Sequence, residues 1–271
     1  MKSAIIIVAV LCVIGVVAFF ALRGRLASNQ NTGGFRDWAK NPDYRRSTEE
    51  YFAALEALTV PEDISPSEIQ AMVDRLFVKE DNDFNVDKLR LVGSKATPQL
   101  IAVLNDARTY TTRFPEGGHS LDPGSPFERI CDLLEHICPP EAAKPLTKYA
   151  AHEDDHFRKH AAITLGNIGT AECINPMIVL LDDDDDYVRS YAMMGIERGI
   201  DANRGGEQFL GAMFPAIEAL LDRRDGSVSD DAPKLLLSID RERAIPLMLS
   251  DRFFSHTDRH LHYIFEAFNE W

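Results

Sequence analysis

The chain matches itself at an offset of 31 residues. Ile130 aligns with Ala161 and Ala192, Cys131 with Ala162 and Met193, and Leu134 with Leu165 and Ile196. Ile137 aligns with Ile168, Pro145 with Pro176, and Arg158 with Arg189. A fixed period of this length constrains the fold strongly. Each unit is too small to bury its own apolar face, so copies of one supersecondary element must stack. The apolar spacing names that element. Phe157, Ala161, Ala162, Leu165 and Ile168 recur at three- and four-residue steps, and Val188, Ala192, Met193 and Ile196 repeat them. Such positions share one face of an α-helix.

Prolines mark a second helix in each unit, at Pro98, Pro145, Pro176, Pro215 and Pro246. Proline suits a first helical turn, where its missing N–H has no partner anyway. The expected repeat is therefore a helix, a short turn and a second helix opened by proline. The gap from Pro98 to Pro145 exceeds the period by 16 residues and that from Pro176 to Pro215 by 8. These excesses place insertions at Asp106–Pro126 and Asp201–Gln208. Long insertions in a helical array are expected as loops, often on a binding face. The first carries Tyr110, Arg113, Phe114 and His119, aromatic and basic groups in an acidic body, and these are the expected partner-binding residues.

Residues 47–80 read as N-terminal cap helices and 86–271 as the repeats. Ser47 with Glu50, and Ser65 with Pro66 and Glu68, are helix-start signals. Leu261, Ile264, Phe265 and Phe268 predict a closing helix. The expected fold over 47–271 is all-α, a right-handed α-solenoid of about five helix pairs.

The beginning of the chain has a different character. Residues 4–22 carry no charge. Nineteen helical residues at about 1.5 Å each span roughly 28 Å, close to the apolar thickness of a bilayer. The run is longer than a signal-peptide core and is followed by Arg23 and Arg25, which favours an uncleaved single-pass anchor. Residues 23–46, with Gly33 and Gly34 and no apolar period, read as a flexible linker. The basic residues after the span outnumber Lys2 before it, which places the body on the cytoplasmic side of the plasma (inner) membrane.

The whole chain has a net charge of −14, and residues 1–46 hold seven basic and two acidic side chains. The remainder therefore carries −19. Such a body is a poor binder of nucleic acid, whose phosphates call for Lys and Arg, and it suits a basic protein partner. Beyond Cys12 in the span, Cys131, Cys138 and Cys173 show no disulfide-framework spacing, and Cys131 falls in a core register.

The segment from Asp154 through Gly169, DDHFRKHAAITLGNIG, and that from Asp185 through Ala192, DDYVRSYA, carry an acidic turn, an aliphatic or aromatic residue, Arg and small residues. The first ends in Leu-Gly and Ile-Gly. The pattern resembles HEAT-like repeats of the phycobilisome-lyase type, most closely over 153–200, less over 86–152 and weakly over 209–269. By that resemblance Asp155, Asp186, Arg158 and Arg189 are structural, linking neighbouring repeats, as are Pro145 and Pro176. The resemblance also implies scaffolds, lyase-like accessory subunits and a hydroxylase as functions. Deoxyhypusine hydroxylase carries His-Glu pairs after the repeat Arg. Here those positions hold Lys159-His160 and Ser190-Tyr191, so its iron ligands are not expected.

One literal motif needs weighing. His152-Glu153-Asp154-Asp155-His156 reads H-E-x-x-H, which on a continuous helix binds zinc. The period lays it over Asp183–Asp186, a turn between repeats, so a polar turn is expected and no metal or other cofactor. His152, Glu153, His156 and His160 are the residues that a metal would take here. His256, His260 and His262 form a second local group. The run Asp182–Asp186 lacks the spaced oxygens of a calcium loop and suits a helix N-cap. The expected function is a membrane-tethered scaffold that binds a partner protein, without catalysis of its own. An accessory subunit acting on a partner, or an acidic inhibitor of a basic toxin or nuclease, are the alternatives.

Overall fold

A computed structural model describes residues 58–78, 83–111, 125–223 and 226–250. The expected span at 4–22, the linker at 23–46, the first cap helix, the histidines at 256–262 and the closing helix lie outside the described residues. So do Arg113, Phe114 and His119, and the side chain of Tyr110.

The described elements are helical throughout, with no strand among them. They begin with α1 (Pro66–Arg75), α2 (Asp83–Val92), α3 (Thr97–Val103) and α4 (Ala107–Thr111). The central repeats hold α5 (Pro126–Ile137), α6 (Ala143–Leu146), α7 (Asp155–Ile168), α8 (Ile174–Leu181) and α9 (Asp186–Asp201). Then come α10 (Glu207–Leu220), α11 (Gly226–Ile239) and α12 (Arg241–Met248).

First helices stack on first helices: α2 on α5, α5 on α7, α7 on α9 and α9 on α11. A second layer runs beside them, in which the turn Thr147–Ala151 packs on α8 and α8 on α10. Between the layers lies one continuous apolar core. Its largest members include Phe127, Tyr149, Phe209 and Phe214. The Phe127 ring centroid lies 4.5 Å from that of Tyr149 and 4.8 Å from that of Phe157. α1 packs on both α2 and α3 at the start of the array. Its capping box is complete, with Ser65 Oγ accepting from the Glu68 N–H and Glu68 Oε2 accepting from the Ser65 N–H at 2.8 Å.

Pro98, Pro145 and Pro176 lie in the first turns of α3, α6 and α8. Each follows a 3-10 turn, at Gly93–Ala96, Pro140–Ala142 and Ala171–Cys173. Pro215 and Pro246 lie inside α10 and α12. The reason is local. Proline donates no N–H and crowds the carbonyl four residues back. A tighter turn ahead of it closes with three-residue bonds instead, as from Ala143 N–H to Pro140 O and from Ile174 N–H to Ala171 O.

The insertions also differ from expectation. Part of the first, Ala107–Thr111, is helical. The second is absorbed into longer helices. α9 has 16 residues against 14 in α7, and α10 has 14 against 8 in α8. Between α9 and α10 the chain turns through Asn203 and Gly205, whose φ values are 54° and 79°.

The tightest seam is between α7 and α9. A Cβ on Gly195 would lie 2.5 Å from the Ile163 carbonyl oxygen, and one on Gly166 would lie 2.7 Å from the Gly195 backbone. Ala161 and Ala192, the small residues of the repeating apolar stripe, lie on these same two helices. Both are fully buried, but it is the missing side chains of Gly166 and Gly195 that bring the backbones together.

Candidate functional site

The turns between repeats are built from aspartates. Asp154 and Asp185, one period apart, are the N-caps of α7 and α9, accepting from the His156 and Val188 N–H groups. The repeat arginines reach back over these turns in the same way. Arg158 donates to the His152 carbonyl at 2.9 Å, and Arg189 donates to the Asp183 carbonyl. Arg158 also bridges to the next turn, its Nε and Nη2 reaching Asp183 at 2.8 and 3.1 Å. This fork-to-fork pair is largely shielded, with side-chain exposures of 17% and 9%. The roles assigned to Asp155 and Asp186 therefore fall on their neighbours. Asp155 pairs with Lys159 on its own helix, and Asp186 is exposed in the first turn of α9. Pro145 and Pro176 stand behind the 3-10 turns already described.

His152 and Glu153 precede α7, so the H-E-x-x-H letters do not share a helix. The His152 Nδ1 accepts from the Asp154 N–H at 3.1 Å, and its ring packs 4.4 Å from Phe157. His156 and His160 are on α7, one turn apart, with ring centroids 4.7 Å from each other. They meet a residue that sequence reading passed over, Glu128 of α5, whose Oε2 is 3.8 Å from His160 Nε2. The Ser125 hydroxyl lies 2.7 Å from His156 Nε2. Burial, with His156 and Lys159 adding to it, holds the His160 imidazole down to about 3, so it is neutral at ordinary pH.

A groove opens beside the turn between α8 and α9. It has a volume of about 530 Å³ and is lined by Ala150, Ala151 and His152, by Arg158, by Ile178 and Val179 of α8, and by Asp182, Asp183 and Asp184. Ile178 and Val179 are 41% and 53% exposed, unusual for aliphatic side chains on a packed helix. Arg223 pairs with Asp182, leaving the Asp184 carboxylate at the exposed rim.

On the first-helix layer lies a second groove of about 450 Å³, with the polar residues Arg90, Asp132, Glu135, Asn167, Arg198 and Arg204 around it. Its charges are mostly paired. Arg90 reaches Asp132 at 2.5 Å, Arg198 reaches Glu135 at 2.5 Å, and Arg204 donates to Asn167 Oδ1 at 2.7 Å. Burial pushes the Glu135 carboxyl up to about 7, against the pull of Arg198. Glu128, Glu135, Arg198 and Arg204 carry no mark in the sequence. Each meets a partner from another repeat, and nothing in their spacing repeats with the period.

Burial raises the thiols of Cys131, Cys138 and Cys173, and all three are free. Among the described residues no helix is long and apolar enough to cross a membrane.

Residues 128–197 match the family model of HEAT repeats, a stretch that runs from α5 into α9. No curated protein matches the chain. Among solved structures it is similar to an engineered protein from a structural genomics consortium, with 15% identity and a TM-score of 0.43. That similarity covers 74% of this chain and 97% of the other. Sequence period, stacked helix pairs and family match agree that residues 128–197 are HEAT-like repeats.

Proposed function

We propose that the chain is a membrane-tethered scaffold whose repeats receive a segment of a partner protein. The observation that carries this reading is the groove beside α8. It combines exposed Ile178 and Val179 with an aspartate rim, on the second-helix layer of a HEAT-like array. An apolar floor with an acidic edge favours a segment that carries an aliphatic or aromatic anchor flanked by Lys or Arg. In this reading residues 4–22 anchor the chain in the plasma membrane, 23–46 give the body reach, and about five helix pairs form a right-handed array on the cytoplasmic side. The insertion around Tyr110, Arg113, Phe114 and His119 extends the contact.

Proximity labelling from the full-length chain in its membrane, repeated with Val179→Asp and Asp184→Lys together, tests the proposal. Both side chains are exposed, so the fold is expected to survive, and circular dichroism checks this. Loss of one discrete labelled protein, roughly tenfold or more, is the expected result for a central anchor. An unchanged set of labelled proteins sinks the assignment of the groove.

A further inference from the structure

We propose that Glu128, His156 and His160 form a divalent-metal site between α5 and α7, with zinc as the ion that fits it. One ligand atom from each of the three lies within 4.8 Å of the others. Two ligands held about 2.0–2.2 Å from one zinc ion can be no more than about 4.4 Å apart. The 3.8 Å between His160 Nε2 and Glu128 Oε2 already falls inside that limit. Small side-chain adjustments close the rest.

The donor set points to the ion. Two imidazoles and one carboxylate suit zinc and its first-row neighbours, whereas calcium and magnesium take oxygen almost alone. Three protein ligands leave a fourth position to water, the arrangement of an open zinc site. The rings are held by groups outside the cluster. Ser125, the N-cap of α5, stands 2.7 Å from His156 Nε2, and the His156 ring meets Phe157 edge-on at 5.8 Å. His160 meets the Tyr191 ring edge-on at 6.0 Å. Such outer contacts orient metal-binding imidazoles. The nearest cation on α7, the Lys159 ammonium, is tied to Asp155 and sits over the Tyr187 ring.

The site is not the H-E-x-x-H motif. It omits His152 and Glu153 and takes its carboxylate from the preceding repeat. A metal here joins α5 to α7 across a repeat boundary, and it would stiffen the array at the groove's own repeat without needing the groove to be occupied.

The test uses the full-length chain in detergent, stripped with a chelator and dialysed against zinc salts. Elemental analysis measures the bound metal, and thermal unfolding is followed with and without zinc. One zinc per chain at micromolar free ion, with a rise in Tm, is expected. His156→Ala, His160→Ala and Glu128→Gln each weaken binding about tenfold or more and remove the rise. Glu128 is 42% exposed, so its Gln variant keeps the fold if the histidine variants do not. His152→Ala binds as the parent does. Zinc absent at micromolar concentration overturns the proposal, and so does binding that survives Glu128→Gln and His160→Ala.

Discussion

A buried carboxyl shows best how single residues behave in this array. Glu135 has an ordinary value of 4.5 that burial raises to about 7 in the folded chain. The folded state therefore holds a proton that the unfolded state releases as pH rises from 4.5 to 7. Stability falls across that window and stays reduced above it. At about 1.36 kcal/mol per unit, the shift sets an upper bound on the order of 3 kcal/mol. Glu135→Gln keeps the shape and removes the charge. Urea unfolding is expected to show the variant more stable than the parent by about 1–3 kcal/mol at pH 8 and equal to it near pH 4. A parent with no loss of stability between these pH values contradicts the account. None of this was legible beforehand. Glu135 reads as a surface position until Thr164 and Arg198 bind its carboxylate and the Asn167 side chain donates to its backbone carbonyl. The caps were nearly legible: the sequence located the acidic turns, but one carboxylate in each pair caps and its neighbour does not, a choice made by backbone geometry.

Elements in this chain are tuned by where they lack a side chain. Gly195 and Gly166 meet across the α7–α9 seam, so a methyl at Gly195 collides with backbone that cannot swing aside. Gly195→Ala is expected to cost about 2 kcal/mol or more. Gly211, inside α10, faces open space, and Gly211→Ala is expected to add about 0.5–1 kcal/mol through helix propensity and a less free unfolded chain. Cys138 takes the left-handed helix end that Gly169 takes one period later, with φ of 54° and 61°. Cys138→Gly relieves a strain of about 1 kcal/mol. Chemical denaturation of the three variants checks the signs, and a Gly195→Ala chain as stable as the parent refutes the seam. The 31-residue match located helices and partners at this scale. It misplaced Pro215 and Pro246, which lie inside α10 and α12 and not in their first turns.

At the scale of the whole molecule, charge is the quantity to test. The net charge is −14. Raising ionic strength from about 0.01 M to 1 M shortens the Debye length from about 30 Å to 3 Å and screens this self-repulsion. Tm of the chain is expected to rise with salt, while capture of a basic partner weakens. A Tm that falls with salt instead means that ion pairs such as Arg158–Asp183 and Arg198–Glu135 outweigh the repulsion. The class of the fold followed from sequence alone, because a period and an apolar stripe are local properties, and units that cannot bury their faces singly must stack. The sites did not follow. Glu128 meets His160, Glu135 meets Arg198, and Ile178 and Val179 stay open beside an aspartate turn only because particular helices pack at particular depths. Those meetings join residues from different repeats. Periodicity shows which repeats are neighbours, and only tertiary packing decides which side chains touch.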